Sequence, residues 1–261
     1  MARSGYIQLA LLSAACGSSP PTESAAPSGP TELVAPAAGR PRLLVFSRTQ
    51  GFRHDSIPAG LDALAALSAQ RGYGLSATED GATFTDAALS AYAAVVFLNT
   101  TGDVLNDAEQ QAFERYIAAG HGYVGVHSAS DCEYDWPFYG ALVGAYFAGH
   151  SQIVAAELRV EPVMHAAVSG IAVPWRREDE WYGFRTTPRG SATVLLTVDE
   201  STYDPGPGRM GVDHPVAWYH EHGGGRAFYT ALGHTRETYR DTTFLSHLLG
   251  GLEWAAAATA P

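Results

Sequence analysis

Residues 122–131 read GYVGVHSASD, a short apolar run that passes directly into a corner of small and polar residues. A continuous apolar run is typical of a strand that is buried on both faces of a parallel sheet. In open α/β sheets, ligands bind outside the carboxyl ends of the strands, so this corner is a candidate for chemistry. The corner offers His127, Ser128 and Ser130, and Asp131 follows them directly.

Strand-like and helix-like segments alternate on the amino-terminal side of this corner. Residues 42–47 (RLLVFS) and 93–99 (AAVVFLN) are further apolar runs, and residues 58–71 carry apolar side chains at helical spacing. Asn106 and Glu109 form a capping-box pattern before another helical segment. Strands that alternate with helices through short links predict an α/β fold, with a mostly parallel sheet covered by helices on both faces.

The flanking regions set the domain limits. Strand-like runs after about residue 151, a glycine-rich hairpin at 223–225 and a last amphipathic helix complete one domain, which we predict over residues 42–258. Residues 17–41 are rich in Pro, Ser, Ala and Gly and carry no periodicity. This composition predicts a disordered tether.

The first residues have the shape of an export signal. Residues 1–16 (MARSGYIQLALLSAAC) combine one positive charge, a short apolar run and small residues before Cys16. The end of this segment resembles a bacterial lipoprotein processing site, so Cys16 would be lipidated and would anchor an exported protein at the periplasm or cell surface. The alternative is a plain secretory signal that is cleaved nearby.

The charge balance restricts the expected partners. The formal net charge is −11 with 16 Lys plus Arg, and no basic run occurs, so we expect no nucleic-acid partner. The same acidity argues against a polybasic membrane surface and leaves the lipid anchor as the expected membrane contact. No P-loop pattern occurs, and no glycine-rich fingerprint lies between a strand and a helix, so we expect no nucleotide cofactor.

Several histidines lie at the ends of predicted strands. His54 and His127 follow two of the apolar runs, so both are expected at the same edge of the sheet. Neutral imidazoles suit a divalent metal such as zinc, and His54, His127 and His150 are the candidate ligands. The spacing matches no recognised zinc signature, so ordinary hydrogen-bonded packing of each histidine is the alternative.

Acidic and aromatic residues adjoin each other in residues 177–184 (REDEWYGF). Asp179 and Glu180 are set against aromatic rings, where a carboxylate loses hydration; this predicts a raised pKa suited to acid/base catalysis, with Glu180 as the catalytic candidate. The alternative is a solvated acidic turn whose aromatic side chains pack inward. His234 has Glu237 three residues further on, which favours either a base with its orienting partner or a favourable charge at a helix start.

These patterns define the candidate site. The catalytic candidates are His127, Glu180, His234 and Asp131. The candidates for substrate binding are Arg53 and Asn99, which lie in loops at the active edge, and Trp181 and Tyr182, whose rings could stack on a sugar.

Four segments together closely resemble the ThuA-like family, which is named for trehalose utilisation. They are GFRHDSI, GYVGVHSASD, DEWYGF and HPVAWYHEHGGGRAFYTALGHT, and they run in the order of that family across residues 42–258. The resemblance implies a flavodoxin-like, doubly wound sheet, a variant of the class I glutamine amidotransferase fold. In amidotransferases the corner carries a catalytic cysteine, where this chain has His127, and His234 falls near the place of the later catalytic histidine.

The resemblance leads to two functional hypotheses. Because imidazole cannot form a glutamyl thioester and Cys132 lies five residues past the corner, we do not expect glutamine hydrolysis. The family association implies carbohydrate catabolism and 3-keto disaccharides or glycosides, acted on by metal- or histidine-assisted acid/base chemistry. The alternative is a non-catalytic, surface-tethered carbohydrate-binding module whose exposed aromatic residues would be Trp181, Tyr182, Trp218 and Tyr219.

Overall fold

The computed structural model describes residues 29–257 together with Met1. The rest of the predicted export signal, with Cys16, and residues 17–28 of the predicted tether lie outside the described residues. Within the described part of the chain, no helix has the length and the apolar composition that a membrane span needs.

Among the described residues, ten strands form one mixed sheet. In chain order they are β1 (Thr31–Val34), β2 (Arg42–Phe46), β3 (Gly74–Thr78), β4 (Ala94–Leu98), β5 (Gly122–Val126), β6 (Phe147–Val160), β7 (Trp175–Phe184), β8 (Thr193–Val198), β9 (Pro215–His222) and β10 (Gly225–Thr230). The α-helices are α1 (Ile57–Arg71), α2 (Asp86–Leu89), α3 (Asp107–Ala118), α4 (Pro137–Val143) and α5 (Thr242–Ala256). Hydrogen bonds between strands give the order β1-β3-β2-β4-β5-β10-β9-β8-β6-β7.

The core of the sheet is parallel and consists of β3, β2, β4, β5 and β10. Every residue of β4 (AVVFL) and of β5 (GYVGV) is buried, as the continuous apolar runs predict for strands covered on both faces. The predicted α/β class is thereby confirmed. Because parallel strands end at the same edge, the loops after β2, β4, β5 and β10 lie together there.

The remaining strands depart from a mostly parallel sheet, because β9, β8, β6 and β7 extend it by antiparallel pairs. At the start of this extension, a tight turn between β9 and β10 explains the antiparallel pairing. Gly223 and Gly224 join β9 to β10 with φ angles of 59° and 103°, which suit a two-residue hairpin turn. Such a turn reverses the chain without a crossover helix, so the sheet is parallel in its core only.

Helices enclose the central strand β5 from both faces. Gly122 faces α5 so closely that a Cβ atom there would lie 2.2 Å from the carbonyl oxygen of Ala255. On the other face, the hydroxyl of Tyr123 lies 2.9 Å from the hydroxyl of Tyr139 in α4. Successive side chains of a strand point to opposite faces, so α5 and α4 lie on opposite sides of β5.

The prediction that residues 17–41 form a disordered tether is wrong for the last part of this segment, because Thr31–Val34 form the edge strand β1. β1 pairs antiparallel with β3, and Thr31 lies opposite Ala77. An ion pair of 2.7 Å between Glu32 and Arg42 also ties this segment to the domain. Composition could not predict the strand, because backbone hydrogen bonds to a free sheet edge need no apolar periodicity.

The antiparallel part of the sheet curls back toward the parallel strands. β7 is the last strand of the sheet, yet Asp179 in β7 accepts hydrogen bonds from the backbone of Gly233 and His234, which follow β10. Its partner β6 has a register shift between His150 and Ile153. Such bulges bend a strand and increase its twist, and the bend brings β7 to the edge where the loops meet.

We expect Gly122→Ala to lower the free energy of unfolding by about 1–3 kcal/mol, because the added methyl group overlaps the backbone of α5. Urea unfolding of the purified protein measures this change. Gly190→Ala is the matched control, since a Cβ atom there meets nothing within 4 Å, and its effect should stay within about 0.5 kcal/mol. Equal stability of the two variants would contradict the close contact between β5 and α5.

Candidate active site

Three histidines and one glutamate converge at the carboxyl edge of the parallel strands. His54 lies in the loop after β2, His127 follows β5, Glu180 lies in β7 and His234 follows β10. One donor atom from each side chain lies within 4.8 Å of the donor atoms of the other three. His54, His127 and Glu180 are buried, and His234 is partly exposed. We call these four residues the histidine cluster.

The corner after β5 holds His127 in a strained backbone conformation. Its φ angle is 50°, in the left-handed region that few residues other than glycine adopt. Its Nδ1 atom lies 2.7 Å from the carbonyl oxygen of Ala231, so Nδ1 carries a hydrogen and donates it. The Nε2 atom is then free to accept, and it lies 3.2 Å from Nδ1 of His234 and 3.5 Å from Oε2 of Glu180. A carbonyl that fixes the tautomer in this way suits metal binding or proton transfer.

Glu180 supplies the negative charge of the cluster. Its Oε2 atom lies 3.1 Å from Nδ1 of His234, and its Oε1 atom lies 3.0 Å from Nδ1 of His150. Burial raises the pKa of Glu180, but interactions with the adjacent imidazoles of His127 and His234 outweigh burial and hold this pKa below its usual value. The raised pKa that the sequence predicted is therefore wrong. Glu180 is a carboxylate at neutral pH, suited to binding a cation or accepting a proton.

The two remaining imidazoles differ in their affinity for protons. His54 is 4% exposed, and burial, reinforced by His127 and His234, lowers its pKa to about 2. Its Nδ1 atom lies 3.3 Å from the hydroxyl oxygen of Ser128. Burial also opposes protonation of His234, but its hydrogen bond to Glu180 is stronger and raises the pKa. His54 is thus a neutral imidazole, whereas His234 holds a proton more readily.

The buried carboxylate of Asp179 fixes the loop that carries His234. It accepts hydrogen bonds of 3.1 Å from the backbone N–H groups of both Gly233 and His234. Arg177 balances its charge through an ion pair of 3.2 Å, and the hydroxyl of Thr238 donates a further hydrogen bond. Sequence reasoning missed this role, because Asp179 meets the loop only through the curl of the sheet.

His150 is not the third imidazole of the cluster, contrary to the sequence prediction. Its Nδ1 hydrogen points to the carbonyl oxygen of Ser151 at 2.7 Å, and the ring contacts the cluster through Glu180 alone. His234 takes the predicted place instead. Glu180, rather than the neighbouring Glu237, is the carboxylate partner of His234.

Asp131, a predicted catalytic residue, ends the short turn after His127 and is not a member of the histidine cluster. Its carboxylate accepts a hydrogen bond of 2.6 Å from the hydroxyl of Tyr134. Burial raises the pKa of Asp131, and this hydrogen bond offsets the effect only in part. Asp131 is thus a neighbour of the cluster, held by a partner of its own.

The predicted substrate-binding residues comprise one exposed and three buried side chains. Arg53 is half exposed and forms an ion pair of 2.6 Å with Glu79. Asn99, Trp181 and Tyr182 are 0%, 1% and 3% exposed. The prediction that a sugar stacks on Trp181 or Tyr182 is therefore wrong, because both rings are packed into the core.

A cleft of about 570 Å³ opens beside the histidine cluster. His54 and His234 line it, together with the exposed apolar side chains of Phe52 and Ile153. This volume is typical of small-molecule sites. A larger groove of about 710 Å³ lies at the opposite edge of the sheet, near Arg42, and it contains no member of the cluster.

Comparison with known proteins identifies the family. The family model for ThuA, trehalose utilisation, matches residues 42–255. This chain belongs to the ThuA family. Each of the four motifs that carry the resemblance supplies one member of the histidine cluster: His54, His127, Glu180 and His234. The ThuA motifs therefore meet in space at one site.

Solved structures agree with this assignment of the fold. A protein described as ThuA-like from Bacteroides uniformis ATCC 8492 is 23% identical with a TM-score of 0.71, covering 85% of this chain and 94% of its own. A second one, from Parabacteroides merdae ATCC 43184, is 20% identical with a TM-score of 0.70, covering 85% and 92%. A β-galactosidase from Bacillus circulans is 12% identical with a TM-score of 0.54, covering 82% of this chain and 31% of its own. At these identities the likeness shows the fold alone, and a comparison with curated proteins finds no match.

We expect Asp179→Asn to lower the free energy of unfolding by about 3 kcal/mol, because an amide cannot accept as the carboxylate does and Arg177 loses its buried partner. Chemical denaturation measures the loss. Asp213→Asn is the control, since it breaks an exposed ion pair with Arg189 and should cost no more than about 1 kcal/mol. Similar losses in both variants would show that Asp179 does not hold the loop.

The lowered pKa of His54 predicts a pH dependence of stability. As the pH falls below about 6.5, the unfolded chain binds a proton at this imidazole and the folded chain does not, so the free energy of unfolding decreases. His54→Gln removes this one-proton difference. Between about pH 6 and pH 4, the stability of the variant should therefore fall less steeply than that of the wild type. The two slopes should differ by about 1.4 kcal/mol per pH unit.

Urea unfolding at a series of pH values, in the presence of a chelator, measures both slopes. Parallel slopes for the two proteins would contradict a neutral, buried His54.

Proposed function

We propose that this ThuA-family chain is an enzyme of carbohydrate catabolism that acts on a 3-keto disaccharide or glycoside through the histidine cluster. The observation that carries the proposal is the convergence of three imidazoles and one carboxylate beside a cleft of small-molecule size. The family description, trehalose utilisation, supports a sugar as the substrate. Ionisable groups that are buried together at a cleft are uncommon unless they have a function.

We propose further that the cluster binds a divalent metal ion such as zinc. His54 and His127 would hold the ion, with Glu180 or His234 completing the set. The donor chemistry fits, because the backbone carbonyl that accepts from Nδ1 of His127 leaves Nε2 as a ligand, and His54 favours its neutral form. When bound, such an ion polarises a keto or hydroxyl oxygen.

The protein groups would supply proton transfer. Nδ1 of His234 and Oε2 of Glu180 lie 3.1 Å apart, so a proton can pass between them. Glu180 favours its ionised form and could accept a proton from a sugar carbon or hydroxyl. His234, whose pKa is raised, could return that proton to a leaving oxygen. This division of roles suits isomerisation, elimination or hydrolysis of the sugar.

The alternative, a non-catalytic carbohydrate-binding module, loses its main support. That hypothesis relied on the rings of Trp181, Tyr182, Trp218 and Tyr219, but the first three are 1%, 3% and 0% exposed and Tyr219 is only partly exposed. The closely spaced acid and base groups are not needed for binding alone.

Two further proposals complete this function. We propose that the parallel core is a flavodoxin-like sheet, in which ligands bind outside the carboxyl ends of strands at the point where the order reverses, and the strand order β3-β2-β4-β5-β10 supports this. We propose that the histidine cluster is the corresponding site. We also propose export as a lipoprotein through Cys16, on the strength of the sequence of residues 1–16 alone.

The metal proposal is tested by titrating chelator-stripped protein with Zn²⁺ in a calorimeter. We expect one ion per chain, and we expect His127→Gln and His234→Gln to weaken binding at least about 10–100-fold, because loss of a partner that only orients a ligand already costs that much. His222→Gln is the control, because its ring packs against Phe138 away from the cluster. No Zn²⁺ binding by the wild type would remove the ion from the proposal.

Catalysis is tested separately with 3-keto-trehalose and trehalose as substrates, with and without added metal. We expect turnover of the keto sugar and its loss in His127→Gln. Binding of the sugar without turnover in any condition would favour the module instead.

A further inference from the structure

Phe52 is an exposed aromatic residue next to the histidine cluster. Its side chain is 66% exposed, and its ring meets the ring of His54 edge-on with 4.9 Å between the ring centres. Ile153, which is 47% exposed, lines the same cleft. Single exposed apolar side chains are common on protein surfaces. Phe52 and Ile153, however, line the same cleft beside the buried histidine cluster, and together they form what we call the apolar wall of the cleft.

The backbone holds both side chains in these positions. The carbonyl oxygen of Phe52 accepts a hydrogen bond of 2.8 Å from the hydroxyl of Thr101, and the N–H of Gly51 donates to the same hydroxyl at 3.2 Å. Ile153 follows the register shift in β6 and lies opposite Glu180 in β7. The apolar wall is therefore built on fixed backbone, which limits the entropy lost when a ligand binds.

Charged side chains that line the cleft, namely Arg53, Asp55 and Arg236, provide hydrogen-bonding groups together with Glu79, the ion-pair partner of Arg53. Arg53 pairs with Glu79 at 2.6 Å, and Arg236 pairs with Asp55 at 2.8 Å. All four side chains are at least half exposed. Guanidinium and carboxylate groups can thus exchange water for the hydroxyls of a ligand without leaving a charge buried and unpaired.

We propose that this cleft is a pyranose-binding subsite in which Phe52 packs against the apolar C–H face of the sugar ring. A pyranose has an apolar face and a rim of hydroxyls, and the cleft presents an apolar wall beside charged hydrogen-bonding groups. Ile153 extends the wall, and Arg53 and Arg236 bind hydroxyls at the rim. The inference rests on the proposed function and assigns to Phe52 the stacking role that the buried Trp181 cannot perform.

The pyranose subsite is tested by binding rather than by turnover. The probe is methyl α-D-glucopyranoside, with trehalose as a second probe and the acyclic polyol sorbitol as the control ligand. Saturation-transfer NMR on the full protein reports which C–H groups contact it, and titration gives the dissociation constant. We expect saturation of the C–H groups on one ring face and little or no binding of sorbitol.

Substitutions of Phe52 test whether its ring contacts the sugar. We expect Phe52→Ala to weaken pyranoside binding about tenfold, which corresponds to the loss of one aromatic contact. Phe52→Trp keeps an aromatic ring and should retain binding. Met164→Ala is the control, because Met164 is also an exposed apolar side chain but does not line the cleft. Zn²⁺ titration of each variant shows whether the cluster itself is intact.

The outcomes distinguish a failure of the pyranose subsite from a failure of the proposed catalysis. Wild-type affinity in Phe52→Ala, equal binding of sorbitol, or no binding of either sugar by the wild type overturns the subsite. A parallel loss of Zn²⁺ binding in Phe52→Ala also overturns it, because the loop would then act through the cluster. Pyranoside binding that depends on Phe52 in a protein with neither metal nor turnover supports the subsite and removes the proposed catalysis.

Discussion

The buried carboxylate of Asp179 is the interaction on which the site depends. A buried carboxylate is costly unless donors replace its lost hydration, and here three backbone N–H groups, those of Glu180, Gly233 and His234, do so together with Arg177 and Thr238. These bonds join β7, the last strand of the sheet, to the loop after β10. Glu180 is the next residue of β7, so the same bonds that hold the loop also bring Glu180 to His127. The cluster therefore requires the sheet to curl, and Asp179 holds the curled strand β7 against the loop after β10.

Two strained residues hold the other side of the site. Asn99 and His127 follow adjacent parallel strands, and both have left-handed φ angles, 51° and 50°. Such conformations cost of order 1–3 kcal/mol each and persist only where the surroundings enforce them. The amide of Asn99 donates to the hydroxyl of Ser56 at 3.0 Å and to the carbonyl oxygen of Gly233 at 3.4 Å. Asn99, predicted as a substrate-binding residue, thus joins the loops after β2 and β10 and keeps the strained edge together.

The rule for strand ends explains what could be predicted from the sequence. Apolar runs revealed the parallel strands, and the meeting of His54 with His127 follows once those strands end at one edge. The antiparallel strands have no such rule, because alternation defines two faces of a strand but not which face another element covers. For that reason the sequence predicts His150 as a metal ligand and His234 only as a catalytic residue, and it predicts a sugar-stacking role for the buried Trp181. Phe52 carried no signal at all, since exposure of a single loop residue depends on the packing around it.

The corner after β5 holds an imidazole where glutamine hydrolysis would require a thiolate. An amidotransferase needs a thiolate at this corner, and the only cysteine of the described residues, Cys132, is fully buried. Burial raises the pKa of Cys132 well above its usual value, so its thiol stays protonated and unreactive. His127 instead directs a nitrogen lone pair at two other polar side chains, an arrangement that favours sharing a cation or a proton over attacking a carbonyl. An imidazole at this corner therefore suits different chemistry from the thiolate that glutamine hydrolysis requires.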